Sequence, residues 1–296
     1  MPQEFQYKVY LPSIADYIRV SELKNHEHLN IIKYNKNDDV VGLSNYLESL
    51  IKNKIENKKI VLHRIDKYCI ILTMMMLCID PMITLQATCE ETDEQYELVI
   101  DVGDVLNTIT NVEYKNHVAE INNMSIHFEY PSELYVSQTE PVNFITAISI
   151  DDTKYDLKEY SKQDFETILN NLPGSTFTKI AEKIKEIKTT LSETTVLTFE
   201  SPYAEKPVAT KLGVDLVEND LFEFIRILFG QDLNGYYEMQ FAMMSNYHFP
   251  PGYYSGCTPI EVKIFYSYMK QDVENQKKQM EDHKKQNQSP AERVSG

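Results

Sequence analysis

Residues 68–79 read YCIILTMMMLCI, and residues 82–102 read MITLQATCEETDEQYELVIDV. The first stretch is the longest apolar run of the chain, broken only by Thr73. Its twelve residues are too few for a bilayer span, which needs about 20. The run therefore reads as a buried helix from about Arg64 to Ile79, stopped by Pro81. The second stretch reads as a hairpin, with Met82–Cys89 and Gln95–Val102 flanking the acidic turn 90–94. Tyr96, Leu98, Ile100 and Val102 alternate with Gln95, Glu97, Val99 and Asp101, the period of a half-buried strand. A buried helix feeding directly into an antiparallel hairpin predicts an α+β fold.

Toward the N-terminus, Phe5, Tyr7 and Val9 alternate with polar neighbours until Leu11-Pro12-Ser13 breaks the pattern. A hairpin returning through Tyr17–Val20 is expected. Helices follow at about Glu22–Tyr34 and Leu43–Ile55, the latter with Leu43, Leu47, Leu50 and Ile51 at helical spacing. Toward the C-terminus, Ser125–Tyr130 is a strand with Ile126, Phe128 and Tyr130 on one face. Val142–Ile150 is helix or apolar strand, and periodicity does not decide. Helices at Asp164–Asn171 and Phe177–Lys188 are separated by Pro173-Gly174, and Ile180, Ile184 and Ile187 make one stripe.

Strands return at Thr195–Glu200 and Val208–Leu212, around the turn Ser201–Pro207. They echo the strand, turn, strand and Asp-containing turn (Asp101, Asp104) of residues 84–105. Helices at Asp220–Phe229, Tyr236–Tyr247 and from Pro259 to about Met280 complete the pattern. The expected architecture is thus helical segments with two small antiparallel hairpin units and a helical C-terminal region. Residues 1–155 form an N-terminal α+β region with the first hairpin. Residues 156–276 carry the second hairpin and aromatic-rich helices. The polar residues 277–296 are expected to be disordered.

Among 296 residues, 42% are apolar and 25% charged, which is globular composition. The formal charge of −16 disfavours binding to phosphate backbones and to anionic membranes. The N-terminus, Met1-Pro2-Gln3-Glu4-Phe5, has no signal-peptide character. Cys69, Cys78, Cys89 and Cys257 show no disulfide framework, so the cytosol is the expected compartment.

Chemistry-bearing motifs are scarce. The nine glycines form no phosphate-binding loop. His26-Glu27-His28 reads as the solvated first turn of a helix rather than half of a zinc site. The acidic turn lacks the ligand alternation of a calcium loop. His63 and Asp66, one turn apart at a helix start, read as a cap. His248 and Cys257 are the nearest approach to a nucleophilic pair, and an ordered loop explains them better. No catalytic residue, metal or cofactor is expected.

The feature above background is aromatic. Ten of the 33 residues from Tyr236 to Tyr268 are Tyr or Phe, against 11% overall. Phe241 and Phe265, set among Met and Ile, are assigned to the core. Tyrosine joins large contact area to a polar tip and is enriched where proteins meet. The segment Pro250-Pro251-Gly252-Tyr253-Tyr254 is expected to be irregular, with Tyr253 and Tyr254 available for contact. In the last helix, Val262, Tyr266, Met269, Val273 and Met280 form a heptad-like stripe. Tyr253, Tyr254, Tyr266, Met269 and Val273 are the candidate partner-binding residues.

The order of these segments resembles the T4-type baseplate hub family of contractile-tailed bacteriophages. The resemblance is carried by the strand pair around Leu11-Pro12-Ser13, by Ile65-Asp66-Lys67-Tyr68, and by the hairpin with Thr88-Cys89. It continues through Phe128-Glu129-Tyr130-Pro131-Ser132, the helix start 155–165, Tyr236–His248 and Pro259–Glu261. It covers most of the chain up to about Lys277. Many relatives carry paired cysteines in the two hairpins. Here Cys89 stands alone and the second hairpin has none, so no zinc is expected.

The resemblance implies a structural or assembly protein of the baseplate hub, made in the host cytoplasm and a candidate virion component. Its partners would be other hub proteins and the tail tape-measure protein, with no nucleic acid, membrane or catalysis involved. Two other classes remain: a hydrolase using Cys257 and His248, and an acidic inhibitor of a basic host protein.

Overall fold

The computed structural model describes residues 6–89, 92–112, 117–121, 123–130, 132–135, 144–150, 153–156, 159–161, 163–164, 167–168, 171–194, 196–200, 209–213, 219–230 and 233–288. The fold is α+β, with small antiparallel sheets and a helical C-terminus. Two compact units divide the chain, Met1–Glu22 with Ile31–Gln231, and Leu23–Asn30 with Asp232–Gly296. The second unit is assembled from both ends of the sequence, a long-range pairing that composition does not register.

In the first unit, β1 (Gln6–Leu11) pairs antiparallel with β2 (Asp16–Ser21), with Val9 opposite Ile18. Val9, Leu11 and Val20 are buried. After the end of α1 (Asn25–Lys36) comes α2 (Val40–Lys54), capped by the Asp39 carboxylate, which accepts from Gly42 N–H at 2.9 Å. Its Leu43, Leu47, Leu50 and Ile51 are buried. The expected buried helix is α3 (Arg64–Cys78). Its burial extends round the helix, through Ile65, Tyr68, Cys69, Ile70, Ile71, Leu72, Met74 and Met75. A helix apolar on all sides belongs in the interior.

The N-terminus of α3 is a polar junction. The Asp66 carboxylate accepts from His63 N–H at 2.9 Å, the expected cap. It also accepts from Ser13 N–H at 3.1 Å and Ser13 Oγ at 2.5 Å, which fastens the β1–β2 turn to α3. Arg64 is fully buried. It donates from Nε and Nη2 to the Leu134 carbonyl at 3.3 and 2.7 Å, and from Nη2 to Asn219 Oδ1 at 2.9 Å. Tyr68 Oη donates to the same carbonyl at 2.8 Å.

The hairpin after Pro81 is β3 (Met82–Thr88) with β4 (Gln95–Asp101), and Tyr96 and Ile100 face inward as their alternation predicts. Glu90 and Glu91 of its turn lie outside the described residues. Residues 102–110 differ from expectation. The Asp101–Asp104 turn is the start of α4 (Val102–Thr110), where the Asp101 carboxylate accepts from Gly103 N–H at 2.7 Å. Val102, Val105 and Ile109 are buried, and the helix packs on α3.

A four-stranded antiparallel sheet follows in the order β5 (His117–Ile121), β6 (Met124–Phe128), β7 (Ile145–Ile150) and β8 (Thr153–Asp156). Pairing with β6 and β8 settles the ambiguous segment as a strand, while residues 142–143 lie outside the described residues. Of the expected helix at 164–171, residues 164 and 167–168 are described as helical. In α5 (Gly174–Thr194), Ile180, Ile184 and Ile187 make the buried stripe. The second hairpin is β9 (Val196–Glu200) with β10 (Ala209–Gly213); its turn, 201–208, lies outside the described residues. The last helix of this unit is α6 (Asp220–Leu228). Its Arg226 pairs with Glu223 at 2.8 Å and Asp38 at 2.5 Å.

The second unit takes residues 25–30 of α1 together with α7 (Leu233–Tyr247), α8 (Pro251–Gly256) and α9 (Pro259–Gln288). Two expectations change here. The Pro250–Tyr254 segment forms a short helix, because Pro251 occupies the first helical position, where no backbone donor is needed. The helix starting at Pro259 runs past Lys277 to Gln288, so residues 277–288 are helical rather than disordered. Lys, Gln, Glu and Met dominate there, and these are good helix formers despite their low apolar content. Residues 289–296 lie outside the described residues. Helix α9 opens on a capping box in which Thr258 N–H donates to Glu261 Oε2 at 2.7 Å.

Candidate protein contact surface

The second unit is held by a buried polar network around Asn25. Asn25 N–H donates to the Cys257 carbonyl at 2.7 Å, and its side-chain amide donates to the Tyr254 carbonyl at 3.3 Å. Tyr236 Oη donates to the Asn25 carbonyl at 3.0 Å, and Tyr254 Oη to the Tyr236 carbonyl at 3.3 Å. The two tyrosine rings meet edge to face, 5.6 Å apart. Burial pushes both phenols above their ordinary range.

Tyr254 is 0% exposed and is therefore a core residue, not a contact residue. Successive helical side chains point about 100° apart, so α8 turns one of its neighbouring tyrosines inward and the other outward. Tyr253 is half exposed, and its ring lies 5.5 Å from Phe249 and 6.2 Å from Phe265.

His28 also departs from expectation. His26 is exposed and its Nδ1 lies 2.9 Å from the Ser255 carbonyl, but His28 is buried rather than solvated. Burial first, and the Lys263 charge second, push the His28 imidazole down to about 3. The unfolded chain takes up this proton near the ordinary value of about 6.5. Between those values the unfolded state binds the extra proton, so stability falls as pH falls through that window. From pH 7 to 4.5 the wild type should lose roughly 2–3 kcal/mol more than His28→Leu in urea unfolding. Equal losses would show that the ring is protonated in the folded state.

Phe241 was assigned to the core from its Met-rich neighbours, yet it is 72% exposed. The buried residues of α7 are Tyr236 and Met243, two turns apart. Tyr237, Phe241 and Met244 form a second stripe at i, i+4, i+7, on the exposed side. Both stripes are apolar, so periodicity does not identify the inward one. Phe265, also assigned to the core, is partly exposed, with its ring 5.8 Å from Phe249.

Three predicted contact residues do meet. Tyr266, Met269 and Val273 line one groove of about 430 Å³, together with Lys270 and Lys277 from α9 and Tyr247 from α7. Of these, Met269 is buried and Val273 is substantially exposed. Tyr247 Oη donates to the Met269 carbonyl at 3.3 Å and the Asp272 carboxylate at 3.2 Å, which binds α7 to one edge of α9.

Cys257 is buried beside Tyr254, whereas His248 is exposed at the end of α7 with φ of 57°. A working nucleophile needs an accessible thiolate, and this thiol is enclosed. Among the described residues, no group of three His, Cys, Asp or Glu is placed to hold a metal ion. No helix among them is long and apolar enough to cross a membrane.

The family model described as T4 bacteriophage base plate protein matches residues 4–197, which is 194 of the 296 residues. The chain belongs to this family, whose role is structural, in the phage baseplate. Searches of curated proteins and of solved structures gave no match. The matched segment ends within the first unit, so α7, α8 and α9 lie outside it.

Proposed function

We propose that the chain is a building block of the baseplate hub that acts by protein–protein contact, with its second unit as the contact surface. The observation that carries this reading is the apolar face Tyr237-Phe241-Met244, with Tyr253 and Tyr268, exposed in a unit that keeps its own tyrosine core. Exposed apolar surface of this kind marks interaction sites. Its partners are other hub proteins and the tail tape-measure protein, met in the host cytoplasm and retained in the virion. The charge of −16 supports protein partners over nucleic acid. No catalysis is involved.

The test is co-expression with the other baseplate and tape-measure proteins of the same phage, followed by affinity capture. A stable complex is expected. Burying a Phe side chain contributes about 2 kcal/mol, so Phe241→Asp should weaken capture at least about thirtyfold with an unchanged far-UV spectrum. Tyr254→Ala is not a useful probe, because it opens the unit's core. Failure to recover a complex with any of these proteins sinks the reading.

A further inference from the structure

The last helix carries a pattern that the contact reading leaves unused. With Tyr266, Val273 and Met280 at one heptad position and Met269 and Gln276 at the next seam position, Lys263, Lys270, Lys277 and Lys284 recur every seven residues along one flank. Of these, Lys270, Lys277 and Lys284 are exposed. Val262 and Met269 are buried in the unit, whereas residues 271–284 of the same helix are all exposed. A helical overhang of that length gains little from propensity alone, because helical stability in water comes mainly from packing an apolar face. The groove is lined by Tyr266, Met269, Lys270, Val273, Glu274 and Lys277 of α9 and, from α7, by Tyr247 with its neighbours Ala242 and Asn246. Lys270 Nζ lies 4.7 Å from the centre of the Tyr266 ring.

We infer that this groove takes an amphipathic helix of a partner protein whose apolar seam is flanked by a row of Asp or Glu. Lys270 and Lys277 outnumber Glu274 in the groove of a chain whose net charge is −16, the lysines recur at every heptad of that flank, and complementary flanking charges select coiled-coil partners. A second copy of α9 is the wrong occupant on two counts. Its lysine flank would face this one in an antiparallel pair, and its opposite edge is already engaged by Tyr247. The inference rests on the reading of the second unit as the contact surface, and it adds the chemistry of what that surface accepts.

The test uses the full chain and two fluorescein-labelled three-heptad peptides. Both have Leu at the seam positions; one has Glu at the flanks and the other Lys. Fluorescence anisotropy should show binding of the Glu-flanked peptide, weakened by salt, and no binding of its Lys-flanked twin. Lys270→Glu/Lys277→Glu should cost the Glu-flanked peptide about tenfold in affinity and admit the Lys-flanked one. Val273→Asp should weaken the Glu-flanked peptide on the wild-type background and the Lys-flanked peptide on the charge-reversed one. Equal affinity for the two peptides, indifference to the charge reversal, or no binding by either overturns the inference. So does a chain dimer in sedimentation equilibrium that the Glu-flanked peptide dissociates. No other phage protein enters this assay, so its failure leaves the capture experiment with baseplate proteins independent.

Discussion

Arg64→Met should destabilise the first unit by about 3 kcal/mol in urea unfolding, and Arg64→Ala by about 4–5 kcal/mol. The guanidinium is fully buried, and its hydrogen bonds include two to the Leu134 carbonyl and one to Asn219 Oδ1. Methionine keeps most of the stem and its packing but donates nothing. The Leu134 carbonyl keeps Tyr68 Oη, whereas Asn219 Oδ1 loses its guanidinium donor. Alanine adds a cavity at a fully buried position. Arg64→Lys should fall between wild type and methionine, because an ammonium cannot reproduce a planar fork. For a domain whose whole stability is about 5–15 kcal/mol, these are large fractions. A loss below about 1 kcal/mol for Arg64→Met would mean that the three contacts do not hold residues 134 and 219 in place.

Asp66→Ala should cost about 3 kcal/mol by the same measurement, since it strips the acceptor from Ser13 N–H, Ser13 Oγ and His63 N–H together. The carboxylate is buried, so water does not replace it freely. Ser13→Ala removes only the hydroxyl and should cost about 1–1.5 kcal/mol. The double variant should cost less than the sum by about 1 kcal/mol, because Asp66→Ala has already removed the bond that Ser13→Ala deletes. Additive losses would place the origin of the Asp66 effect at the two backbone donors, Ser13 N–H and His63 N–H, rather than at the Ser13 hydroxyl.

Both junctions lie on elements that were legible in the sequence. The run 68–79 had to be buried, and the alternation from Tyr96 to Val102 had to face a core. What escaped was decided by contacts distant in sequence or by residues with two uses. Asp101-Val102-Gly103-Asp104 suits a turn, but the same Asp and Gly suit the first turn of a helix, and the burial of Val105 and Ile109 against α3 selects the helix. Strands β5 and β8 are short and mixed in composition, HVAEI and TKYD, and exist because β6 and β7 offer them edges.

At the candidate surface, the Tyr266-Met269-Val273 stripe was legible from its spacing, and the lysine row beside it was present in the same heptads. Tyr253 and Tyr254 were not separable. Which of the two turns inward depends on Tyr236, 18 residues away, and on Asn25, 229 residues away. Phe241 was misassigned because its Met neighbours describe local composition, not the side of α7 on which they stand.

The second unit joins residues 23–30 to residues 232–296. A ribosome adds about 5–20 residues per second, so Asn25 waits for most of the synthesis of the 296-residue chain before Tyr254 and Cys257 exist to receive it. The first unit needs nothing beyond Gln231. Its helices and sheets are free to form while the C-terminal helices are still in or near the exit tunnel. The C-terminal helices of the second unit are thus the part of the molecule that is made last. A nascent chain cannot present it before the larger body is complete, and a truncated product that ends before Tyr254 cannot close its tyrosine core.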